Sequence, residues 1–269
     1  MTPRRYELSD FEWSIIEPLL PNKPRGVPRV DDRRVLNGIY WRMRTGSPWA
    51  DIPERYGPPT TCYNRFVRWA KLGLWDRIFE AVSKAYDGDL QAIDASSIRV
   101  ASTWRQRQKG GPNATPAQAR DHARAECMGR SRGGLTTKIH ALVDANGMPI
   151  AIKLTEGQAH DGRSAADMLT GLQAGQILLA DRAYDSNALR ESMTAQGVWA
   201  NIRPMDHRLD PPAFSPFLYR YRNLVERFFN KLKHYRAIAT RYEKRAAHYL
   251  ALVKLAAIRV WLRHNESVS

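Results

Sequence analysis

The chain has 269 residues, with 42 lysines and arginines against 27 aspartates and glutamates, a formal net charge of +15. This excess favours a polyanionic partner, nucleic acid before a membrane surface. The two cysteines, Cys62 and Cys127, lie far apart and outside any C-x-x-C pair, which argues against a disulfide framework and a cysteine zinc site. No apolar run approaches the roughly 20 residues that span a bilayer. We therefore expect a cytoplasmic protein that binds nucleic acid.

The first third of the sequence predicts short helices. "SDFEWSIIEPLLP" begins with a helix cap, Ser9 with Glu12 three residues later, and "DDRRVLNGIYWRMRTG" ends at Gly46. "TTCYNRFVRWAKLGLWDRIFEAVSKAY" supplies one or two more helices, broken near Gly73. Basic residues expected on their exposed faces favour an all-helical, helix-turn-helix-like DNA-binding domain over residues 1–87. The alternative is an ordinary helical bundle with a basic surface. The basic residues are Arg33, Arg34, Arg42, Arg65, Arg68 and Lys71.

From residue 89 the apolar pattern changes to that of strands. "LQAIDASSIRVA" predicts one strand, and "LTTKIHALVDANGMPIAIKLTEG" predicts a hairpin around the turn Asp144-Ala145-Asn146-Gly147. Helices and strands then alternate. Residues 103–134 are rich in glycine, proline and arginine and predict a flexible basic insertion. The composition alone predicts an α/β domain over residues 88–269, and the element order is that of a ribonuclease H-like fold with a mixed sheet flanked by helices.

Two aspartates lie where strands could carry a metal site. Asp94 lies within the first predicted strand, and Asp181 ends the buried run "QILLAD". Phosphodiester cleavage by two metal ions needs converging carboxylates, and oxygen ligands suit Mg²⁺ or Mn²⁺. A charged residue that ends an apolar strand costs free energy unless it is paired or binds a metal. Each aspartate alone could equally be a helix cap or a turn residue, and Asp181 could pair with Arg182.

Glu226 is the one acid in the basic stretch "YRYRNLVERFFNKLKHYR". At 100° per residue, Tyr219, Arg222, Glu226 and Lys233 share one stripe of a helix, across from its apolar face. Neighbouring cations keep such a glutamate ionised and can also bind DNA phosphates. The alternative is an exposed Arg222–Glu226 pair, worth about 0.2–0.5 kcal/mol.

The spacing of these four residues resembles the Y-R-E-K signature of insertion-sequence transposases of the DDE type. Further segments resemble the insertion-sequence-five family, within the four/five superfamily, over essentially the whole chain. These are "LSDFEWSIIEPLLP", "NGIYWRMRTGSPWADIPERYG", "GRSRGGLTTKIHALVDANGMPI", "LLADRAYDS" and "VERFFNKLKHYRAIATRYEK". The resemblance implies a ribonuclease H-like core in which Asp94, Asp181 and Glu226 are the catalytic, metal-binding triad for two Mg²⁺ or Mn²⁺ ions.

The resemblance also implies an activity in DNA transposition. Such a transposase binds the terminal inverted repeats of its insertion sequence and catalyses metal-dependent DNA cleavage and strand transfer. Pairing of the element ends implies a homodimer or larger assembly on double-stranded DNA, in the bacterial cytoplasm at the nucleoid and not at a membrane. The expected DNA-binding residues are Tyr219, Arg222, Lys233, Arg99, Arg105, Arg107, Lys109, Arg130 and Arg132.

One departure from the family pattern keeps other functions open. Members usually have threonine or serine two residues after the first aspartate and a histidine shortly beyond. Ser96 fills the first position, but the next histidine is His122. An inactive transposase relic, a DNA-binding regulator and a purely hydrolytic nuclease of the same fold are the alternatives.

Overall fold

The computed structural model describes residues 6–21, 31–84, 88–101, 116–131, 134–164 and 166–268. Contacts divide the chain into two compact units. The helical unit comprises Met1–Lys84 and Leu232–Ser269, and the sheet unit comprises Ala85–Lys231. Within the described ranges, no helix has both the length and the apolar character needed to cross a membrane.

Helices and strands follow one another much as the apolar pattern predicts. The helices are α1 Asp10–Ile16, α2 Asp32–Thr45, α3 Pro59–Lys71, α4 Leu74–Ser83, α5 Pro116–Ala125, α6 Asp161–Ser164, α7 Asn187–Ala195, α8 Pro216–Tyr219, α9 Asn223–Lys233, α10 Arg236–Ala239 and α11 Ala246–Val268. The strands are β1 Leu90–Val100, β2 Gly129–Ser131, β3 Gly134–Val143, β4 Pro149–Glu156, β5 Ile177–Ala180, β6 Trp199–Ile202 and β7 Thr240–Arg241. Short 3₁₀ turns precede or follow several helices, at Glu17–Leu19, Trp49–Asp51, Glu54–Tyr56, Ala166–Leu169, Arg182–Tyr184 and Arg220–Arg222.

The predicted cap of α1 is present and has a second role. The Ser9 hydroxyl accepts from the Glu12 amide at 3.0 Å, and the Glu12 carboxylate accepts from the Ser9 amide at 2.9 Å. Glu12 also accepts from Arg259 Nε of α11 at 3.0 Å, and both side chains are buried. One carboxylate therefore caps α1 and ties it to α11, since a buried charge needs a partner.

The C-terminal helix belongs to the helical unit by its contacts, whereas the sequence interpretation placed it in the 88–269 domain. α11 packs against α4, α1 and α3. Apolar residues on most of its faces are fully buried, so it needs packing partners on several sides. The functional boundary at residue 87 stays a prediction.

Several basic residues of the helical unit have structural roles. Arg42, which was expected on an exposed face, is buried and pairs with Glu243 at 2.9 Å, so that expectation was wrong. Arg65 pairs with Asp32 in the same way. Arg68 is exposed, as expected. The helix-turn-helix interpretation stays a prediction.

The sheet unit contains a mixed sheet. β3 is antiparallel to both β1 and β4, while β5 is parallel to β1 and β6 is parallel to β5. The strand order is thus β4-β3-β1-β5-β6, and β2 pairs with the first residues of β3. This topology of three antiparallel strands followed by parallel ones confirms the predicted ribonuclease H-like α/β fold.

The predicted hairpin turn sets the register of β3 and β4. The Asp144 carboxylate accepts from the amides of Asn146 and Met148, at 2.8 and 2.7 Å. Gly147 has φ 73°, a left-handed conformation that favours glycine. A Cβ there would lie 3.2 Å from the Leu224 carbonyl oxygen, so the turn also packs closely against the start of α9.

Part of the predicted flexible insertion is ordered. Residues 116–125 form α5, and Gly129–Ser131 pairs with β3 as β2. A small apolar cluster of Val100, Ala123, Met128 and Leu135 holds this region together. Residues 102–115 and 132–133 lie outside the described residues.

Asp185 forms a buried polar network that the sequence did not reveal. The helix that follows it, α7, is capped by Ser186. The fully buried Asp185 carboxylate accepts from Arg190 Nε at 2.9 Å, from Arg208 Nε at 2.6 Å and from the Met205 amide at 2.8 Å. Burial alone would raise the pKa of Asp185, but these hydrogen bonds together lower it. The network fixes the connection that follows β6 onto α7.

We expect Asp185→Asn to lower the free energy of unfolding by about 1–3 kcal/mol, because two arginines lose a charged acceptor. Because folding lowers the pKa of Asp185, its stabilisation of the folded state is fully present above its unfolded pKa of about 3.9. This stabilisation is lost as pH falls through the pKa of the folded state. Urea unfolding at pH 7 and at pH 3 measures both effects. The variant should differ from the wild type at pH 7 and converge with it in acid.

Asp167→Asn is the matched control. Asp167 pairs with Lys153 but is 65% exposed, so its loss should cost at most about 1 kcal/mol. Equal destabilisation by the two substitutions at pH 7 would contradict the structural role of Asp185.

Candidate active site

The register of the parallel strands brings the two predicted aspartates together. Leu90 pairs with Ile177 and Ala92 with Leu179. Two residues further along each strand, the same register places Asp94 opposite Asp181. Neighbouring strands lie about 4.8 Å apart, and residues two apart point to the same face. Two carboxylates separated by 87 positions in the sequence therefore lie near each other where β5 ends, and the charge of Asp181 acts on Asp94.

Asp181 also caps the 3₁₀ turn that follows β5. Its Oδ1 accepts from the Ala183 amide at 2.9 Å. The capping role considered from the sequence is therefore present, and it also fixes the direction of the carboxylate. The ion pair with the adjacent arginine is not formed, because Arg182 pairs with Asp206 at 3.1 Å.

Arg222 connects Glu226 to this pair of aspartates. Its Nη1 donates to Asp94 Oδ2 at 2.6 Å, and its Nη2 pairs with Glu226. The Asp94 and Arg222 side chains are only 20% and 19% exposed, whereas Glu226 is 52% exposed. The expected i,i+4 pair is thus present, but it is one half of a network that reaches from α9 to β1.

The faces of α9 agree with the sequence prediction. Val225 and Phe228 are fully buried, while Glu226 and Lys233 are exposed. Arg222 lies in the 3₁₀ turn before α9, with its guanidinium 5.7 Å from the centre of the Tyr219 ring. The stripe therefore continues from the 3₁₀ turn into α9, although these residues do not form one regular helix.

The local charges change the acid–base properties of the site. Burial raises the pKa of Asp94, the Ala95 amide and Arg222 oppose this rise, and Asp181 adds to it. Burial alone would lower the pKa of Arg222, but Asp94 and its other neighbours raise it. Asp94 and Arg222 therefore stabilise each other's charged forms.

Tyr184, Asp161 and Lys138 are neighbours that the sequence interpretation did not assign to the site. Burial raises the pKa of Tyr184, and the charges of Asp161, Asp94 and Asp181 raise it further. The buried Tyr184 hydroxyl has no hydrogen-bond partner among the described residues. Asp161 accepts from Lys138 Nζ at 2.8 Å. Only the short motif "DRAYDS" could have pointed to Tyr184.

His140 of β3 does not take the place of the histidine that is missing after Asp94. His140 pairs with Ala95 across β1 and β3, and Ala95 faces the side of the sheet opposite to Asp94. His140 is buried against Thr155 at 2.7 Å, and burial lowers its pKa to about 4. His160 is exposed in the loop before α6.

The other predicted DNA-binding residues are only partly described. Arg99 of β1 and Arg130 of β2 are exposed. They flank β3, since Arg99 pairs with Thr136 and Arg130 with Leu135. The remaining predicted contacts lie outside the described residues and are Arg105, Arg107, Lys109 and Arg132.

The carboxylate oxygens of the three acids suit divalent metal ions, provided that a metal ion displaces Arg222 from them. Among the described residues, no three Asp, Glu, His or Cys side chains stand close enough together to hold one ion. Glu226 is linked to Asp94 through the Arg222 guanidinium, so Arg222 and a metal ion would compete for the same oxygens. Carboxylate oxygens are the ligands that Mg²⁺ and Mn²⁺ prefer, and the half-buried Asp94 needs a cationic partner.

Comparison with known proteins relates both parts of the chain to transposases. Residues 85–261 match the family model "Transposase DDE domain", and residues 8–79 match the model "Putative transposase of IS4/5 family". The first match alone covers more than half of the chain.

Individual relatives agree with the family matches. The chain is 41% identical over 130 residues to the "Putative transposase for insertion sequence element IS6501" of Brucella ovis, covering 48% of this chain and 100% of the relative. It is 30% identical over 162 residues to the "Putative transposase for insertion sequence element IS402" of Burkholderia cepacia, covering 55% and 66%. A solved structure, "Crystal structure of a pre-cleavage Mos1 transpososome", aligns with 12% identity and a TM-score of 0.28 over 91% of this chain and 82% of that one.

The match to the DDE domain spans Asp94, Asp181 and Glu226. Enzymes of this family depend on divalent metal ions. The chain belongs to the DDE transposases of the IS4/5 group and is an enzyme that cleaves DNA and transfers its strands.

Proposed function

We propose that this transposase binds the terminal inverted repeats of its own insertion sequence, cleaves at the element end, and joins the freed 3′-hydroxyl to target DNA. Two observations support the assignment of Asp94, Asp181 and Glu226. The β1–β5 register, continued to the end of β5, brings the two aspartates side by side, and Arg222 pairs with both Asp94 and Glu226.

Asp94, Asp181 and Glu226 would hold two Mg²⁺ or Mn²⁺ ions. Bound divalent ions lower the pKa of an attacking water or 3′-hydroxyl and stabilise the leaving oxygen. Contacts within the protein orient these carboxylates. The Ala183 amide donates to Asp181, the Ala95 amide donates to Asp94 at 2.7 Å, and Arg222 pairs with Asp94 and Glu226.

The cationic stripe of α9 and the preceding turn would hold the DNA. An arginine that leaves its carboxylates can bind a phosphate through the same two N–H groups, so Arg222 suits both partners. Tyr219 would position Arg222 or a flanking nucleotide, and Lys233 would bind a second phosphate. Arg99 and Arg130 would add salt-sensitive backbone contacts, together with Arg105, Arg107, Lys109 and Arg132.

The organisation of the chain supports a division of labour. We assign recognition of the element ends to residues 1–87 and catalysis to residues 88–269. Pairing of two ends requires at least a homodimer on DNA. Because its substrate is the bacterial chromosome, the enzyme would act in the cytoplasm at the nucleoid.

Glu226→Gln, Asp94→Asn and Asp181→Asn should each bind the element ends as the wild type does but lose strand cleavage and joining by about 10³-fold or more, because each removes a metal-binding charge. Labelled element ends incubated with target plasmid and Mg²⁺ measure all three steps in gels. Asp167→Asn, which removes an exposed acid outside the site, is the matched control and should keep full activity.

The same assay separates the other possible functions. A nuclease would give nicked ends and never a joined product. A regulator would bind ends without metal-dependent cleavage, and Glu226→Gln would leave its function unchanged. Wild-type protein that binds ends but cuts none would identify an inactive relic.

Arg222→Gln should bind Mn²⁺ about 10-fold more tightly in the absence of DNA, because the competing guanidinium is gone. The same variant should bind DNA ends more weakly, since a phosphate contact is lost. Electron paramagnetic resonance of free Mn²⁺ gives the first quantity and a gel-shift titration the second. Arg222→Lys keeps the positive charge without the two-pronged geometry. Its Mn²⁺ affinity and its DNA affinity should each lie between those of the wild type and those of Arg222→Gln. Weaker Mn²⁺ binding by Arg222→Gln would refute the competition.

A further inference from the structure

The helical unit contains a small basic cavity that has no part in the proposed catalysis. Its volume is about 320 Å³, and its lining combines two arginines, a histidine, a tyrosine and a threonine, without a carboxylate. The lining residues are Tyr6, Arg44, Thr45, His234 and Arg236. A pocket for an apolar ligand would have mostly hydrophobic walls, so this lining indicates a small anion.

The two arginines of the cavity, like several exposed arginines of the helical unit, have no carboxylate partner among the described residues. Arg33, Arg42 and Arg259 each pair with an acid, whereas no ion pair of Arg44 or Arg236 is found among the described residues. The charge at the cavity is therefore not neutralised by the described part of the protein.

Aromatic rings hold the Arg44 guanidinium in place. It lies 5.4 Å from the centre of the Tyr235 ring and 5.9 Å from that of Tyr6. A guanidinium held against aromatic rings still has N–H donors that another acceptor can use. Arg44 is thus oriented with little loss of hydrogen-bonding capacity.

The backbone brings Arg236 close to the same point. Gly46 ends α2 with φ 72°, and a Cβ there would lie 2.9 Å from Arg236 Cβ. The neighbouring Thr45 hydroxyl donates to the Trp41 carbonyl at 3.0 Å, which fixes its direction. The C-terminus of α2 and the start of α10 therefore approach each other closely enough for both arginines to line one cavity.

We propose that this cavity receives one backbone phosphate of duplex DNA, bound by Arg44 and Arg236. Paired arginine forks match the oxygens of a phosphodiester, and the net charge of +15 favours nucleic acid as their source. The proposal rests on the proposed DNA binding but not on the carboxylate triad. The contact orients the DNA and carries no sequence preference of its own.

The test compares two double variants that remove the same charge. Arg44→Gln with Arg236→Gln alters the cavity, and Arg77→Gln with Arg245→Gln removes two exposed arginines elsewhere in the helical unit. For binding to an unrelated duplex, the first pair should reduce the slope of log affinity against log salt by about 1 relative to the second, the share of one phosphate. Arg44→Lys with Arg236→Lys should retain most of the slope. Equal slopes for the two glutamine pairs would overturn the proposal.

Chemical labelling of the wild type reads the site directly and does not depend on the folding of a variant. Phenylglyoxal modifies accessible arginines, and mass spectrometry locates them. Duplex DNA should protect Arg44 and Arg236 and leave Arg77 and Arg245 reactive. Unchanged labelling of the cavity arginines, or equal protection by the same concentration of inorganic phosphate, would overturn the assignment to DNA. Protection in a wild type that cuts no DNA would identify an inactive relic and leave the cavity proposal standing, whereas failure of the wild type to bind any duplex would refute the proposed DNA binding and the cavity proposal together.

Discussion

One guanidinium of the sheet unit links acids from two distant segments of the chain. Asp94 of β1 lies beside the end of β5 and pairs with Arg222, which also pairs with Glu226 of α9. Like charges in a half-buried site repel one another, and Asp94 already has its pKa raised by burial and by Asp181. Arg222 offsets this repulsion through its two salt bridges. The same residue therefore fixes α9 against β1 and assembles the carboxylates.

The positive charge of the chain divides into two functional classes. Arg42 and Arg259 are buried counterions that hold helices together, and Arg190 fixes the connection after β6 through Asp185. Arg44 and Arg236 line a cavity without a carboxylate. Net charge predicts a polyanionic partner, but only burial and pairing distinguish the cations that can reach it.

The fold could be predicted from the sequence wherever one local signal decided the structure. The apolar stripe of α9, the turn at Asp144–Gly147 and the strand ending in Asp181 are examples. The network of Asp185 could not be predicted, since its partner Arg208 lies in a connection without periodicity. The placement of α11 could not be predicted either. A helix that is apolar on most faces has no single apolar face from which its packing partner can be inferred.

The missing histidine can be assessed from the two faces of β1. Ser96 lies two residues after Asp94 and so faces the same side of the sheet, whereas Ala95 and its partner His140 face the other side. His140 therefore does not take the place of the missing histidine beside Asp94. If Asp94, Asp181 and Glu226 hold the metal ions as proposed, the absence of a histidine beyond Ser96 would leave the metal-binding charges unchanged. Its loss would then bear on contacts to the substrate and not on metal binding.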